Sequence, residues 1–273
     1  MNILARIKSW IPLLSLPSLN LVGEVQVAFD IGSGKVKMQV AEVRKGNLSS
    51  LYSDSLRIVD PHASPWPAGE PISEETEKLL LAALQMLLQQ AEPFHPEKIW
   101  AVATDLYRRS PNGADLMQRL QNQTGISIEI ISQEEEAILA FLTATREHNL
   151  EDETAVVWDV GSGSTQIVWL ENGRYRSFGV PIGWKKEEKE PLFETDFFEG
   201  KTVFGIGAHP KKLLESSLFY TNEQVIQLEP TDSSCKLATI SFLMEAFHIS
   251  KVLYLNTLAG NTTGLFVLKN RLD

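Results

Sequence analysis

The sequence predicts an α/β protein made of two lobes of common design that face each other across a cleft. Three observations carry that prediction. A strand–turn–strand motif occurs twice, as VAFDIGSGKVKMQV at 27–40 and as VVWDVGSGSTQIVW at 156–169. Aligning Asp30 with Asp159 superposes a D-[IV]-G-S-G core and sets Val27 opposite Val156. Strands and amphipathic helices alternate along the rest of the chain, which is the pattern of a layered α/β fold. The copies lie too far apart for a short-period solenoid and fit one copy per lobe.

The elements follow in order. Residues 1–22 form a leader in which Arg6 and Lys8 precede an apolar stretch, but Pro12 and Pro17 break it. No small-residue cleavage site follows, and the stretch is too short to span a bilayer, so a flexible or surface-packed leader is the expectation. The first lobe is expected over 23–148. Its hairpin leads to a turn at Lys45–Asn47 and then to a helix, EETEKLLLAALQMLLQQ, with Ser73 as N-cap. KIWAVATD reads as a buried strand. PNGADLMQRLQNQTG reads as a helix ended by Gly125, ISIEII as a strand, and SQEEEAILAFLTATREHN as a helix.

The second lobe is expected over 149–273. Its hairpin is followed by a strand in RYRSFGVPIGW and a polar loop, KKEEKEPLFETD. A strand, glycine turn and helix start come next in KTVFGIGAHPKKLLE, then a helix in SSCKLATISFLMEAFHIS. The strand KVLYLN and a closing turn and helix in GNTTGLFVLKN complete it.

Composition narrows the function. With 273 residues the chain has room for one large or two medium domains, and 43% hydrophobic with 22% charged residues is a soluble globular balance. A net charge of −10 disfavours nucleic acid as a partner, because phosphate backbones require basic surface. Cys235 is the lone cysteine, so no intrachain disulfide supports an oxidising compartment and a cytoplasmic location is expected. The five histidines are scattered without zinc-ligand spacing.

The glycine hairpins are the first candidate chemistry. Glycine lets backbone N–H groups approach a phosphate, and a serine adds a hydroxyl. Candidate phosphate contacts are Asp30, Gly32, Ser33, Gly34 and Lys35 in the first copy, and Gly161, Ser162, Gly163, Ser164 and Thr165 in the second. Asp30 and Asp159 are the candidate metal ligands, since hard cations prefer oxygen. A single GSG reads first as a plain hairpin turn; the duplication reverses that reading in favour of a clamp. GSGK is not a Walker loop, because Val36 and a β-type run follow Lys35, which faces either a phosphate or solvent. Gly205 and Gly207 in FGIGAHP are further candidate phosphate contacts in a third loop between a strand and a helix, which on its own reads as a plain strand–helix connection.

Ser132 and Glu135 fit a capping box, and Glu134 reads as solvated. Glu136 lies one step further into the helix, where a carboxylate is either part of a charged helix start or a base that deprotonates an attacking water. Arg108 follows a buried strand and either forks onto phosphate oxygens or joins a surface ion pair.

At these motifs the chain resembles the exopolyphosphatase / guanosine pentaphosphate phosphohydrolase (Ppx/GppA) family. The resemblance runs from about Val25 to Phe266, through AFDIGSGKVKMQV, ATDLYR, GADLMQRLQNQTGISIEIISQEEEAILAF, DVGSGSTQ and an echo in GIGAH. It implies a two-lobed actin-like ATPase fold, of the duplicated ribonuclease H-like type, with an interlobe cleft. It further implies Mg²⁺-dependent removal of terminal phosphate from polyphosphate or pppGpp, and it leaves room for a homodimer. By position Glu136 matches the family's base, Arg108 its phosphate-binding arginine, Asp159 an aspartate near the metal, and Gly161, Gly163, Ser164 and Thr165 its phosphate loop.

The departures from the family pattern are specific. Gln166 replaces a glutamate, which weakens Mg²⁺ binding. Gly34 and Lys35 replace Asn-Ser, Ile138 an arginine, and Ala208 and His209 Gly-Thr; GNTTG stands for G-L-R-E-G. The spans 184–204 and 212–230 are shortened, so the second lobe reads as trimmed. A terminal-phosphoanhydride phosphatase is the leading expectation. A catalytically degenerate phosphate- or nucleotide-binding regulator is the alternative, and an actin-like ATP-binding scaffold, suggested by ENGRYRSFGVPIGW, is the third.

Overall fold

The computed structural model describes residues 23–58, 69–161, 164–181, 198, 201–207, 225–228 and 243–272. Residues 1–22, 182–197, 208–224 and 229–242 lie outside them, and with them the expected helix start after Gly207 and most of the expected helix in SSCKLATISFLMEAFHIS.

Two mixed sheets repeat one topology. In the first, β1 (Glu24–Ile31), β2 (Lys35–Arg44) and β3 (Asn47–Arg57) form an antiparallel meander, and β4 (Lys98–Ala103) and β5 (Ile128–Ile130) add in parallel beside β1. In the second, β6 (Ala155–Val160), β7 (Ser164–Glu171) and β8 (Arg174–Pro181) form the meander. There β9 (Thr202–Ile206) and β11 (Val252–Leu255) add in parallel, and β10 (Val225–Leu228) pairs antiparallel at the edge. The duplicated motif in the sequence is therefore the core of a duplicated sheet. β1 and β6 are buried at almost every position because both of their faces are covered.

The helices form where capping and periodicity place them. α1 (Glu74–Ala91) starts at Ser73, whose hydroxyl accepts from the Thr76 N–H. With α3 (Gly113–Thr124, closed by Gly125 in the left-handed region) it covers the outer face of the first sheet, over Val27, Phe29, Val36 and Met38. α4 (Gln133–His148) carries the full capping box of Ser132 and Glu135. The chain closes with α5 (Thr262–Asn270). A single helical turn, α2 (Asp105–Arg109), follows β4, so Arg108 stands on a helix and not at a strand end. β3 and β10 are strands that the sequence pattern did not reveal.

The inner faces of the two sheets meet across α4 and α5. Ala137, Ala140, Phe141 and Ala144 of α4 pack on Val157 and Val168 of the second sheet. Leu265 and Phe266 of α5 pack on Ala28, Ala41 and Val102 of the first. Each helix thus serves a sheet on the other side of the expected division at 148/149. Their contact is close because Gly264 lacks a Cβ, which would strike the Leu139 carbonyl; its N–H donates to Thr143 Oγ1 at 2.8 Å.

Candidate active site

Asp30 and Asp159 occupy the same place in the two sheets, one residue before the ends of β1 and β6. Carboxyl ends of parallel strands are where α/β folds gather ligands. Cross-strand pairing sets Lys37 opposite Asp30 and Gln166 opposite Asp159, on the same faces. Lys37 Nζ lies 2.9 Å from Asp30 Oδ2. Asn261, just before α5, bridges the lobes: its backbone N–H donates to Asp30 Oδ2 and its Nδ2 to Asp159 Oδ2, each at 3.1 Å. Burial works against the Lys37 charge, but Asp30, Asp159 and Glu136 outweigh it and hold its pKa above the ordinary value. Two glycines with positive φ make room here. A Cβ on Gly207 would strike Asp159 Oδ1, and one on Gly260 would strike Asp30 and the Lys37 side chain.

The hairpins close identically. Gly32 N–H donates to the Lys35 carbonyl at 3.0 Å, and Gly161 N–H to the Ser164 carbonyl at 2.9 Å. The first turn rests on Tyr107, whose hydroxyl reaches the Gly32 carbonyl, and on Ser33 Oγ, which reaches Asp105, each at 3.5 Å. Gly34 accepts from the Ile58 N–H at 3.2 Å, and Lys35 is partly buried at the start of β2. In the second turn Gln166 Nε2 donates to Ser164 Oγ at 2.7 Å. The buried Thr165 hydroxyl has no hydrogen-bond partner among the described residues. Ser162 and Gly163 lie outside those residues, as do Ala208 and His209. Gly205 faces away from the cleft; a Cβ there would meet the Tyr254 ring.

Glu136 and Arg108 are brought together. The capping box fixes the first turn of α4, and Glu136 points from it into the protein, 8% exposed. Arg108 Nη2 donates to Glu136 Oε2 at 3.0 Å, and Nη1 to the Ile131 carbonyl at 2.6 Å. Arg109 instead forms a two-pronged pair with Asp105 inside α2. Burial, then the Asp159 charge, push the Glu136 carboxyl up to about 7 despite Arg108. That value suits a base at neutral pH.

Sequence reasoning missed Lys37 and Asn261. Lys37 was within reach, because the alignment of Asp30 with Asp159 also pairs Lys37 with Gln166. Asn261 lies in the GNTTG stretch that departs from the family pattern, but nothing in the sequence marks it as a partner of Asp30, 231 residues away.

Magnesium is the cofactor implied by the resemblance. Mg²⁺ demands near-octahedral oxygen ligation and is commonly held by one or two carboxylates plus phosphate oxygens. Here Asp30 Oδ2 already accepts from an ammonium and a backbone N–H, and Asp159 Oδ2 from an amide. Gln166 adds no charge. Among the described residues no group of three or more His, Cys, Asp or Glu is placed to hold a metal ion. This donor set does not fit a magnesium ion held by the chain itself.

The sequence model of the Ppx/GppA phosphatase family matches residues 54–189, the stretch that contains Arg108, Glu136 and the second glycine hairpin. The chain belongs to the Ppx/GppA family. The fold of Ppx/GppA structures extends over nearly all of it. A Ppx/GppA enzyme from Aquifex aeolicus superposes with a TM-score of 0.67 at 18% identity, covering 90% of this chain and 99% of that one. An exopolyphosphatase from Cytophaga hutchinsonii superposes with a TM-score of 0.70 at 13% identity, covering 92% and 99%. The expected two-lobed actin-like fold is therefore the observed one. A curated Streptomyces coelicolor protein, itself described as uncharacterized, is 27% identical over 157 residues, 56% of this chain. The chain spans 46% of that relative's length. No helix among the described residues is long and apolar enough to cross a membrane.

Proposed function

We propose that this Ppx/GppA protein hydrolyses the terminal phosphoanhydride of an inorganic polyphosphate or of a 5′-triphosphorylated guanosine nucleotide such as pppGpp. One observation carries the proposal. A buried carboxyl, Glu136, is held by Arg108 at 3.0 Å and feels the aspartates of the two duplicated hairpins, and burial pushes it up to about 7. Ionised Glu136 takes a proton from a water whose oxygen forms the new bond to the terminal phosphorus. The bridging P–O bond breaks, and the shortened chain leaves with the electron pair. Arg108 orients Glu136 and has further N–H donors for a phosphate oxygen. The backbone at the tip of the first hairpin, Ser33 and Gly34, supplies the cradle, because the Gly32 N–H is spent on closing the turn.

The experiment measures phosphate release from tripolyphosphate and pppGpp by wild type and Glu136→Gln, in EDTA and in magnesium. Release by wild type with loss in the variant supports the proposal; equal release by both removes Glu136 from the mechanism. A second reading, binding without turnover, is favoured by the neutral Gln166 and by the Arg108 bond on Glu136. It predicts thermal stabilisation by tripolyphosphate with no release.

A further inference from the structure

We infer that Lys37, together with Asn261, takes the place of a divalent cation between Asp30 and Asp159, so that the cleft presents a fixed ammonium to a phosphate anion without a chain-held metal. The inference deepens the proposed function, because it names the counter-charge of that same site.

The ammonium stands where a metal would draw its ligands. It shares Asp30 Oδ2 with the Asn261 N–H, while the Asn261 amide closes the gap to Asp159. Asp30, Asp159 and Glu136 are the charges that act on it. A divalent ion on Asp30 Oδ2 would lie against like charge. The place is also built for a lysine: Gly260 has positive φ, and a Cβ there would strike Lys37 Cδ and Nζ as well as Asp30. An ammonium has three donors, and the hydrogen bond to Asp30 uses one. The equivalent position of the second lobe is Gln166, which donates to Ser164, so at this pair of positions the ammonium comes from the first lobe.

Manganese, a paramagnetic stand-in for magnesium, tests this directly by spin-resonance titration of the intact chain without any phosphate ligand. Wild type is expected to leave the free-ion signal unchanged. Lys37→Gln, which copies Gln166, is expected to remove the free-ion signal of one manganese per chain. One tight manganese per wild-type chain, lost in Asp30→Asn, would overturn the inference without recourse to any variant of Lys37. Absence of binding in folded Lys37→Gln would overturn it too, since the ammonium would then not be what excludes the ion. A calorimetric titration with tripolyphosphate in EDTA supplies the second readout. Saturable binding supports the inference, and binding that requires magnesium overturns it. If wild type binds no tripolyphosphate in either buffer, the proposed function fails, while the manganese titration still decides the metal question.

Discussion

Arg108 Nη2 meets Glu136 Oε2 across 3.0 Å and so ties the turn after β4 to the first turn of α4. The bond opposes burial, which drives Glu136 toward its neutral form. Phosphate release is therefore expected to rise with pH through about 7, where Glu136 becomes a base. Arg108→Gln removes a contribution that lowers the pKa, so the rising limb is expected to move to higher pH. Glu136→Gln is expected to cost on the order of 100-fold or more and to flatten that limb. A pH–rate profile of the three proteins checks this; an unshifted limb in Arg108→Gln would separate Arg108 from Glu136.

The same carboxyl has a stability consequence. Its pKa is about 7 in the folded chain against an ordinary 4.5. The folded state thus holds the proton more tightly than the unfolded one. The stabilising contribution is complete below 4.5 and is lost as pH rises through about 7. The loss is on the order of 3 kcal/mol at most. Glu136→Gln does not ionise and still offers Arg108 an amide oxygen. It is expected to melt above wild type at pH 8, with the difference fading by pH 4. Melting curves at both values check it, and identical curves throughout would show that the burial of Glu136 is not felt.

Gly207 and Gly260 each support one aspartate from a position with positive φ. Alanine at either site meets both a strained backbone and a carboxylate oxygen. Each substitution is expected to destabilise by about 1–3 kcal/mol. Each is also expected to weaken tripolyphosphate binding, because the aspartate must move. Gly46→Ala is the control: φ is +82° there too, but nothing lies within 4 Å of the added Cβ. Equal effects at all three sites would show that backbone strain alone matters.

The contact between α4 and α5 makes a separate prediction. Thr143 Oγ1 accepts from the buried Gly264 N–H. Thr143→Val keeps the shape and leaves that donor unpaired, which costs about 1–3 kcal/mol. The helices pack on different sheets, so the loss is expected to loosen the lobes against each other. Hydrogen exchange at Gly264 and along α5 would report it, and unchanged protection would contradict the coupling.

What the sequence disclosed follows physical range. The hairpins, the capping box and the Gly125 helix end are local rules, written within a few residues of where they act. Glu136 could be singled out because the box assigns Glu135 to Ser132 and leaves its neighbour facing inward. The helical setting of Arg108 was not legible because α2 is one turn long, and neither periodicity nor a capping hydrogen bond from Thr104 marks it. Lys37 carries no mark within its own strand; its partners become visible only when β1 and β6 face each other. Asn261 shows the limit most clearly, since its two bonds span both lobes and no local pattern encodes them.

Gln166 offers the last test, because it stands to Asp159 as Lys37 stands to Asp30. It is 1% exposed and donates to Ser164 Oγ. Glutamate at this position keeps the shape but removes the donor and adds charge beside Asp159 with no ammonium on its own strand to balance it. Burying that charge is expected to lower stability by on the order of 1–3 kcal/mol at pH 8. The deficit is expected to shrink near pH 5, as the new carboxyl takes up a proton. Manganese is expected to restore part of it at pH 8 in Gln166→Glu and to leave wild type unchanged, since only the variant gains a second carboxylate in the second lobe. Melting temperatures of both proteins across that grid of pH and metal decide the matter. A variant indifferent to both would show that Gln166 is solvated in solution and that the neutral amide has no part in keeping metal out.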